Sequence, residues 1–177
     1  KKEYGENLEQ NIEGLVERLK RKSYKPQPSL RVYIPKSNGK LRPLGIASYE
    51  DKIVRLALKK ILEAIYEPRF LNCMYGFRPN RGCHGAVKEL YKRLNFTKIC
   101  YIVDADIKGF FDHMKHDWIM KFLNLYIKDP NILWLVNKYL KAGVMDEGKL
   151  VENEEGSAQG NIISPILANI YMHNVLT

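Results

Sequence analysis

The sequence predicts a helix-rich α+β fold, and three observations predict it. Apolar residues recur at helical spacing in several stretches, such as Leu8, Ile12, Leu15, Val16 and Leu19. Asn38-Gly39 lies between two short extended runs, where it favours the positive φ angles of a tight hairpin turn. Ile99–Val103 is a near-continuous apolar run, which reads as a buried central strand.

The elements follow in order. Residues 7–22 read as an amphipathic helix, broken by Pro26 and Pro28. Residues 31–36 and 40–46 read as a hairpin. Pro35 and Pro43 cannot donate to a ladder, so both strands are expected to be edge-like and partly open. Ser48 followed by Asp51 resembles a capping box and starts a helix that is expected to carry Ile53, Leu56, Ala57, Ile61, Ala64 and Ile65 inward and to end before Pro68. A Gly/Pro/Arg loop over 75–82 precedes a short helix through Ala86, Val87, Leu90 and Leu94. After the expected strand come helices near 114–127 and 130–141, the second with Asp129 as N-cap, Pro130 in its first turn and Gly143 past its end. A hairpin around 146–149 and a final helix from Ser164-Pro165 complete the chain.

Composition narrows the function. The chain has 177 residues, 45% of them hydrophobic and 11% aromatic, which suffices for a core and argues against disorder. No apolar run reaches the roughly 20 residues of a membrane span. There is no initiator Met and no apolar leader, so the chain reads as an intracellular piece of a longer protein. Three dispersed cysteines, Cys73, Cys83 and Cys100, fit reduced thiols in a cytoplasmic setting, and burial is expected for Cys73 and Cys83. The net charge is +9, and nine basic residues between Arg18 and Tyr49 have no acidic companion. A one-sign run of this kind suits a phosphate backbone better than a membrane surface, because its residues do not share one broad amphipathic face.

The segment Asp104-Ala105-Asp106 follows the apolar run. If that run is a strand, the two carboxylates share one face, where a Mg²⁺ ion would offset their charge. Capping a turn is the competing reading. His113, His116 and Asp117 have a spacing that could in principle hold zinc, but ligation is not the expected reading. No glycine-rich phosphate loop is present.

Four blocks carry a more specific signal. Residues 31–46, Arg31-Val32-Tyr33-Ile34-Pro35-Lys36-Ser37-Asn38-Gly39-Lys40-Leu41-Arg42-Pro43-Leu44-Gly45-Ile46, resemble the first block of group II intron reverse transcriptases. Tyr75-Gly76-Phe77-Arg78-Pro79-Asn80-Arg81-Gly82 resembles their second. Residues 104–113, with Asp106-Ile107-Lys108-Gly109-Phe110-Phe111, are similar to their motif A, and residues 155–171, with Gln159-Gly160 and Ser164-Pro165, to their motif B. The order is the family's, so the chain is identified as a member of the intron-encoded reverse transcriptase/maturase family.

The resemblance implies a right-hand polymerase arrangement: an RNA-binding extension over 1–30, fingers over 31–98, and a partial palm over 99–177 with a fingers excursion near 114–155. It implies Asp106 as catalytic metal ligand for Mg²⁺, with the Ile107 carbonyl as a second contact. Phe111 is implied as the aromatic that excludes a ribose 2′-hydroxyl, Lys36 and Arg42 as the pair gripping the incoming triphosphate, and Gln159 and Gly160 as residues beside the nascent base pair. Arg18, Lys20, Arg21, Lys22 and Lys25 are implied contacts for intron RNA, and Arg78 and Arg81 for the template backbone. The implied partners are intron RNA, RNA template, DNA primer and deoxynucleotide, within a bacterial or organellar ribonucleoprotein; self-association is left open. The chain departs from the family at Ala158, usually Pro, and Asn161, usually Gly. It also has no Asp-Asp pair, so the later Tyr-Ala-Asp-Asp block is missing and these residues alone are expected to bind RNA without polymerising. A retron or diversity-generating enzyme, or a pure RNA-binding scaffold, is the alternative.

Overall fold

Parts of the apolar stripes read from the sequence meet in one core, but Leu8 and Val16 of the first stripe and Val87, Leu90 and Leu94 of the 83–96 helix are exposed. The computed structural model describes residues 2–35, 37, 39–151, 155, 156 and 160–177. Helix α1 (Lys2–Glu6) leads into α2 (Leu8–Lys20), which buries Leu15 and packs Leu19 against the core. Lys22 in the left-handed region (φ 56°) turns the chain back, and the amides of Ser23 and Tyr24 cap the Arg18 carbonyl. Helix α3 (Tyr49–Tyr66) starts where expected, with Ser48 Oγ accepting from the Asp51 N–H at 3.2 Å. Its inward stripe is Asp51, Val54, Arg55, Leu58, Leu62 and Tyr66, which corrects the expected one: Leu56, Ala57, Ile61 and Ala64 are exposed, because the helix turns the hydrogen-bonded Asp51 and Arg55 into the core instead. A 3₁₀ turn (Glu67–Arg69) follows.

Helices α4 (Cys83–Phe96), α5 (Phe110–His113), α6 (His116–Tyr126), α7 (Pro130–Leu140) and α8 (Ser164–Leu176) complete the helical set. Asp129 caps α7 by accepting from the Asn131 N–H at 2.8 Å. Leu123 of α6, Val136 of α7 and Leu167 and Ile170 of α8 are among the most enclosed side chains. Each such burial contributes about 1.5–3 kcal/mol. No helix among the described residues is long and apolar enough to cross a membrane.

The sheet is small and mixed. Strands β1 (Ser29–Pro35), β2 (Leu41–Ile46), β3 (Val144–Asp146) and β4 (Lys149–Val151) lie in the order β2-β1-β3-β4. β1 and β2 are antiparallel, from Leu30 opposite Ile46 to Pro35 opposite Leu41. β1 also pairs with β3 in parallel, at Ser29–Val144 and Leu30–Met145. This corrects the expectation of two edge strands. β2 is an edge, whereas β1 pairs with β3 at Ser29 and Leu30 and with β2 from Leu30 onward, so it has a neighbour on each side at Leu30, and Pro35 sits beyond the β3 pairing. The β3–β4 turn has positive φ at both central residues, Glu147 (47°) and Gly148 (78°), as a two-residue hairpin of this twist requires.

The expected strand over 99–103 does not form. Residues 98–107 have no regular structure, and Tyr101 and Val103 are 90% and 88% exposed. A strand exists only where a neighbour takes its N–H and C=O groups, and among the described residues none pairs with this segment. The burial expected of Cys73 and Cys83 fails as well: both are exposed, as is Cys100. Cys73 lies in the loop after the 3₁₀ turn, and Cys83 opens α4, a helix with no buried residue.

A buried polar knot ties the amino-terminal segment to this frame. Tyr24 Oη hydrogen-bonds Asp51 Oδ1 and meets Tyr139 Oη at 2.7 Å, while the Gln27 N–H donates to Asp51 Oδ2 at 3.1 Å. Arg55 donates to Ser29 Oγ at 3.4 Å and lies 4.7 Å over the Tyr139 ring. Burial, then the bond to Asp51, pushes the Tyr24 phenol far up, and burial also raises Tyr139 and lowers Arg55.

Candidate functional site

Residues far apart in sequence converge on one cleft of about 540 Å³. It is lined by Arg42 and Leu44 of β2, Phe77 of the 75–82 loop, Phe111 of α5, and Gly160, Asn161, Ser164 and Pro165 at the start of α8.

Each wall has a local cause. Arg42 is exposed on the edge strand, opposite Ile34. Gly109 (φ 63°) turns the chain into α5, and a Cβ there would lie 3.1 Å from the His113 ring. The two aromatics that this turn introduces touch each other edge-on at 5.9 Å and reach different further partners. Phe110 packs against Tyr171 at 6.0 Å, and Phe111 meets Phe77 edge-on at 6.3 Å. Gly160 (φ 90°) passes β2 closely enough that a Cβ would lie 3.4 Å from the Gly45 carbonyl. Asn161 is buried and its Oδ1 accepts from the Ile163 N–H at 3.3 Å. Where the family pattern has glycine, an Asx turn here leads into α8.

The segment before the cleft is fastened too. The Gly156 N–H donates to the Met114 carbonyl at 2.7 Å, and His116 Nε2 lies 2.7 Å from the Gly156 carbonyl. A Cβ on Gly156 would sit 2.6 Å from the Asp112 carbonyl oxygen. Lys115 binds Glu155, and this hydrogen bond, seconded by His113, holds the Glu155 carboxyl below its usual range. Gln159 lies outside the described residues, between the anchors at Gly156 and Gly160; Lys36 and Asn38 of the β1–β2 connection lie outside them as well.

Of the sequence-derived candidates, then, Arg42, Phe111 and Gly160 come together. Asp106 and Ile107 do not line the cleft. They are exposed in the irregular segment before Gly109. Among the described residues no group of three or more His, Cys, Asp or Glu side chains is placed to hold a metal ion, so His113, His116 and Asp117 form no zinc site.

The basic candidates divide. Lys22 and Lys25 are exposed. Arg18 forks onto Glu50 at 2.8 and 2.9 Å, and Lys20 and Arg21 pair with Glu17 at 3.6 and 3.3 Å. Arg81 donates to the Asn72 carbonyl at 2.6 Å and lies over Tyr75. The structure gives Arg78 a different task from the template contact expected of it. It is 7% exposed, and donates to Glu67 Oε1 (2.9 Å) and to the Leu71 (2.9 Å) and Met74 (3.0 Å) carbonyls. A guanidinium so engaged faces inward.

Phe77 is the cleft residue that sequence reasoning missed. Its φ of 55° is rare for a bulky side chain and costs on the order of 1–3 kcal/mol. Nothing in Gly-Phe-Arg-Pro announces that angle. Leu44 and Pro165 were legible only as parts of their blocks.

A family model described as "Reverse transcriptase (RNA-dependent DNA polymerase)" matches residues 34–177. The chain is 42% identical over 168 residues to the group II intron-encoded protein LtrA of Lactococcus lactis subsp. cremoris, a match over 94% of this chain and 28% of LtrA. It is 40% identical over 164 residues to an uncharacterized 91 kDa protein in the cob intron of Schizosaccharomyces pombe, over 93% of this chain and 20% of that protein. It therefore spans less than a third of either relative. Among solved structures, a chain of a partial Cas6-RT-Cas1–Cas2 complex superposes with a TM-score of 0.60 at 17% identity, over 97% of this chain and 29% of that one. At that identity the likeness concerns the fold alone.

Proposed function

Because the chain belongs to the reverse transcriptase family, in its group II intron-encoded reverse transcriptase/maturase branch, we propose that it supplies the fingers and the first part of the palm of an RNA-directed DNA polymerase that also assists splicing of its intron. The observation that carries this reading is the convergence of Arg42, Phe111 and Gly160, from three separate blocks, on one cleft. An exposed guanidinium fork suits a triphosphate, and an aromatic wall suits a sugar face. Lys22 and Lys25, with the neighbouring basic residues of α2, form the proposed contact for intron RNA, recognised through phosphates and shape.

Relatives in this family generally work with divalent metal ions. The described residues do not by themselves fit a pair of such ions: Asp104 and Asp106 are exposed in an irregular segment, and no third ligand joins them. Asp106 is proposed as one hard oxygen ligand of a site that needs further groups. The 177-residue chain is accordingly an RNA-binding unit without polymerase activity of its own.

Binding of a fluorescent RNA template–DNA primer duplex, titrated with salt, tests the reading. Affinity falling linearly in log–log form, with a slope reporting several phosphates, is expected; a flat response overturns it. Primer extension with Mg²⁺ and deoxynucleotides is expected to give no product, and product formation would overturn the assignment of inactivity.

A further inference from the structure

Three consecutive residues beside the cleft are treated unequally. Gly76 is held from one side, where Asn169 Nδ2 of α8 donates to its carbonyl at 2.9 Å. Arg78 is held from the other. Its side chain is buried under the Glu67 carboxylate and the Leu71 and Met74 carbonyls, reaches the Glu67 carbonyl at 3.3 Å, and covers the Phe70 ring at 5.3 Å. Between them, Phe77 has a positive φ and a side chain 67% exposed.

A bulky residue in the left-handed region gains nothing from that backbone, and hydrophobic burial does not offset the cost here. Such outliers persist where their surroundings over-determine them, and they gather at functional sites. Here the two clamps over-determine the backbone, and the result is an aromatic ring on the wall of the cleft. The ring touches Phe111 edge-on, with planes at 85°, and most of its surface stays open. Arg42 lines the same cleft. An open π surface and a cation sharing one cleft suit a base and its phosphate.

We infer that Phe77 is a stacking platform for a nucleobase of single-stranded template RNA, and that Arg78 and Asn169 are its positioning residues. The inference rests on the nucleic-acid reading above and deepens it by naming the base contact.

The test uses the 177-residue chain and an RNA template–DNA primer duplex with 2-aminopurine as the first unpaired template residue. Wild-type binding is expected to quench the fluorophore. Phe77→Leu, which keeps apolar bulk but removes the ring, is expected to lose the quench and about fivefold or more in affinity, and Phe77→Trp to retain both. Phe77→Gly relieves the backbone, so its melting temperature is expected to match or exceed wild type while its quench is still lost. Asn169→Ala and Arg78→Lys are each expected to weaken the quench and to add nothing further when combined with Phe77→Leu. Wild-type binding with an unchanged quench in Phe77→Leu overturns the platform and leaves the nucleic-acid reading intact. No binding by the wild-type chain overturns both. Additive losses in the double variants overturn the positioning role.

Discussion

Two segments of this chain carry polymerase-like blocks, and they differ in what holds them. Around residues 155–170 the chain is fastened at Gly156 to the Met114 carbonyl, passes β2 at Gly160, turns on Asn161 and buries Ile163, Ile166, Leu167 and Ile170. Over 98–107 it has neither ladder nor core, and Tyr101, Ile102 and Val103 face outward. Both are rich in apolar residues. What separates them is a neighbour: the first packs against α3 and α6, whereas the second has no strand beside it among the described residues. Apolar character states a need for burial, and only tertiary structure decides whether the need is met.

The sharpest way to break this comparison is to truncate one apolar side chain in each segment. Ile163→Ala is expected to cost about 2–5 kcal/mol in chemical denaturation, since it opens a cavity in a closed core. Gly156→Ala comes next. Its Cβ would collide with the Asp112 carbonyl at a φ of 79°, so a loss of about 2 kcal/mol is expected, together with weaker protection of the Gly156 amide in hydrogen exchange.

A smaller effect should appear with pH. His173 of α8 packs edge-on to Phe70 at 5.8 Å with its Nδ1 buried and unpartnered, and burial lowers its pKa from the ordinary 6.5. The unfolded chain therefore takes up this proton first on acidification. Its contribution to stability is full above pH 6.5 and declines below it. The melting temperature of His173→Gln should fall less than that of wild type between pH 7.5 and 5.5 (about one unit either side of that pKa), and equal slopes would remove His173 from the account. The smallest change is Val103→Ser, expected to stay within about 0.5 kcal/mol of wild type. A large loss there would show that residues 98–107 are buried in solution.

Much of the fold was legible, for identifiable reasons. Ser48 and Asp129 cap α3 and α7 because their oxygens reach amides two or three residues on, which is local information. The Glu147-Gly148 turn was equally local. The parallel pairing of β1 with β3 was not, since it joins residues more than a hundred positions apart that carry no mark of each other. In the cleft, Arg42, Phe111 and Gly160 were found through their blocks, whereas Phe77 went unassigned because its role comes from a backbone angle imposed by Asn169 and Arg78. Arg78 misled in the opposite direction. Residue type suggested phosphate, and the surrounding carbonyls turned it inward.

The Tyr24–Tyr139 contact spans 115 positions. During synthesis, a nascent chain that has emerged only as far as residue 100 holds Tyr24 and Asp51 without the Tyr139 phenol that closes their network. The hairpin strand that starts at Ser29 must wait for α7 and β3 before it is locked in place. The amino-terminal helix can therefore dock on α3 through Arg18–Glu50 and Tyr24–Asp51 once α3 has formed, and the Tyr139 phenol closes that network only after α7 has been made.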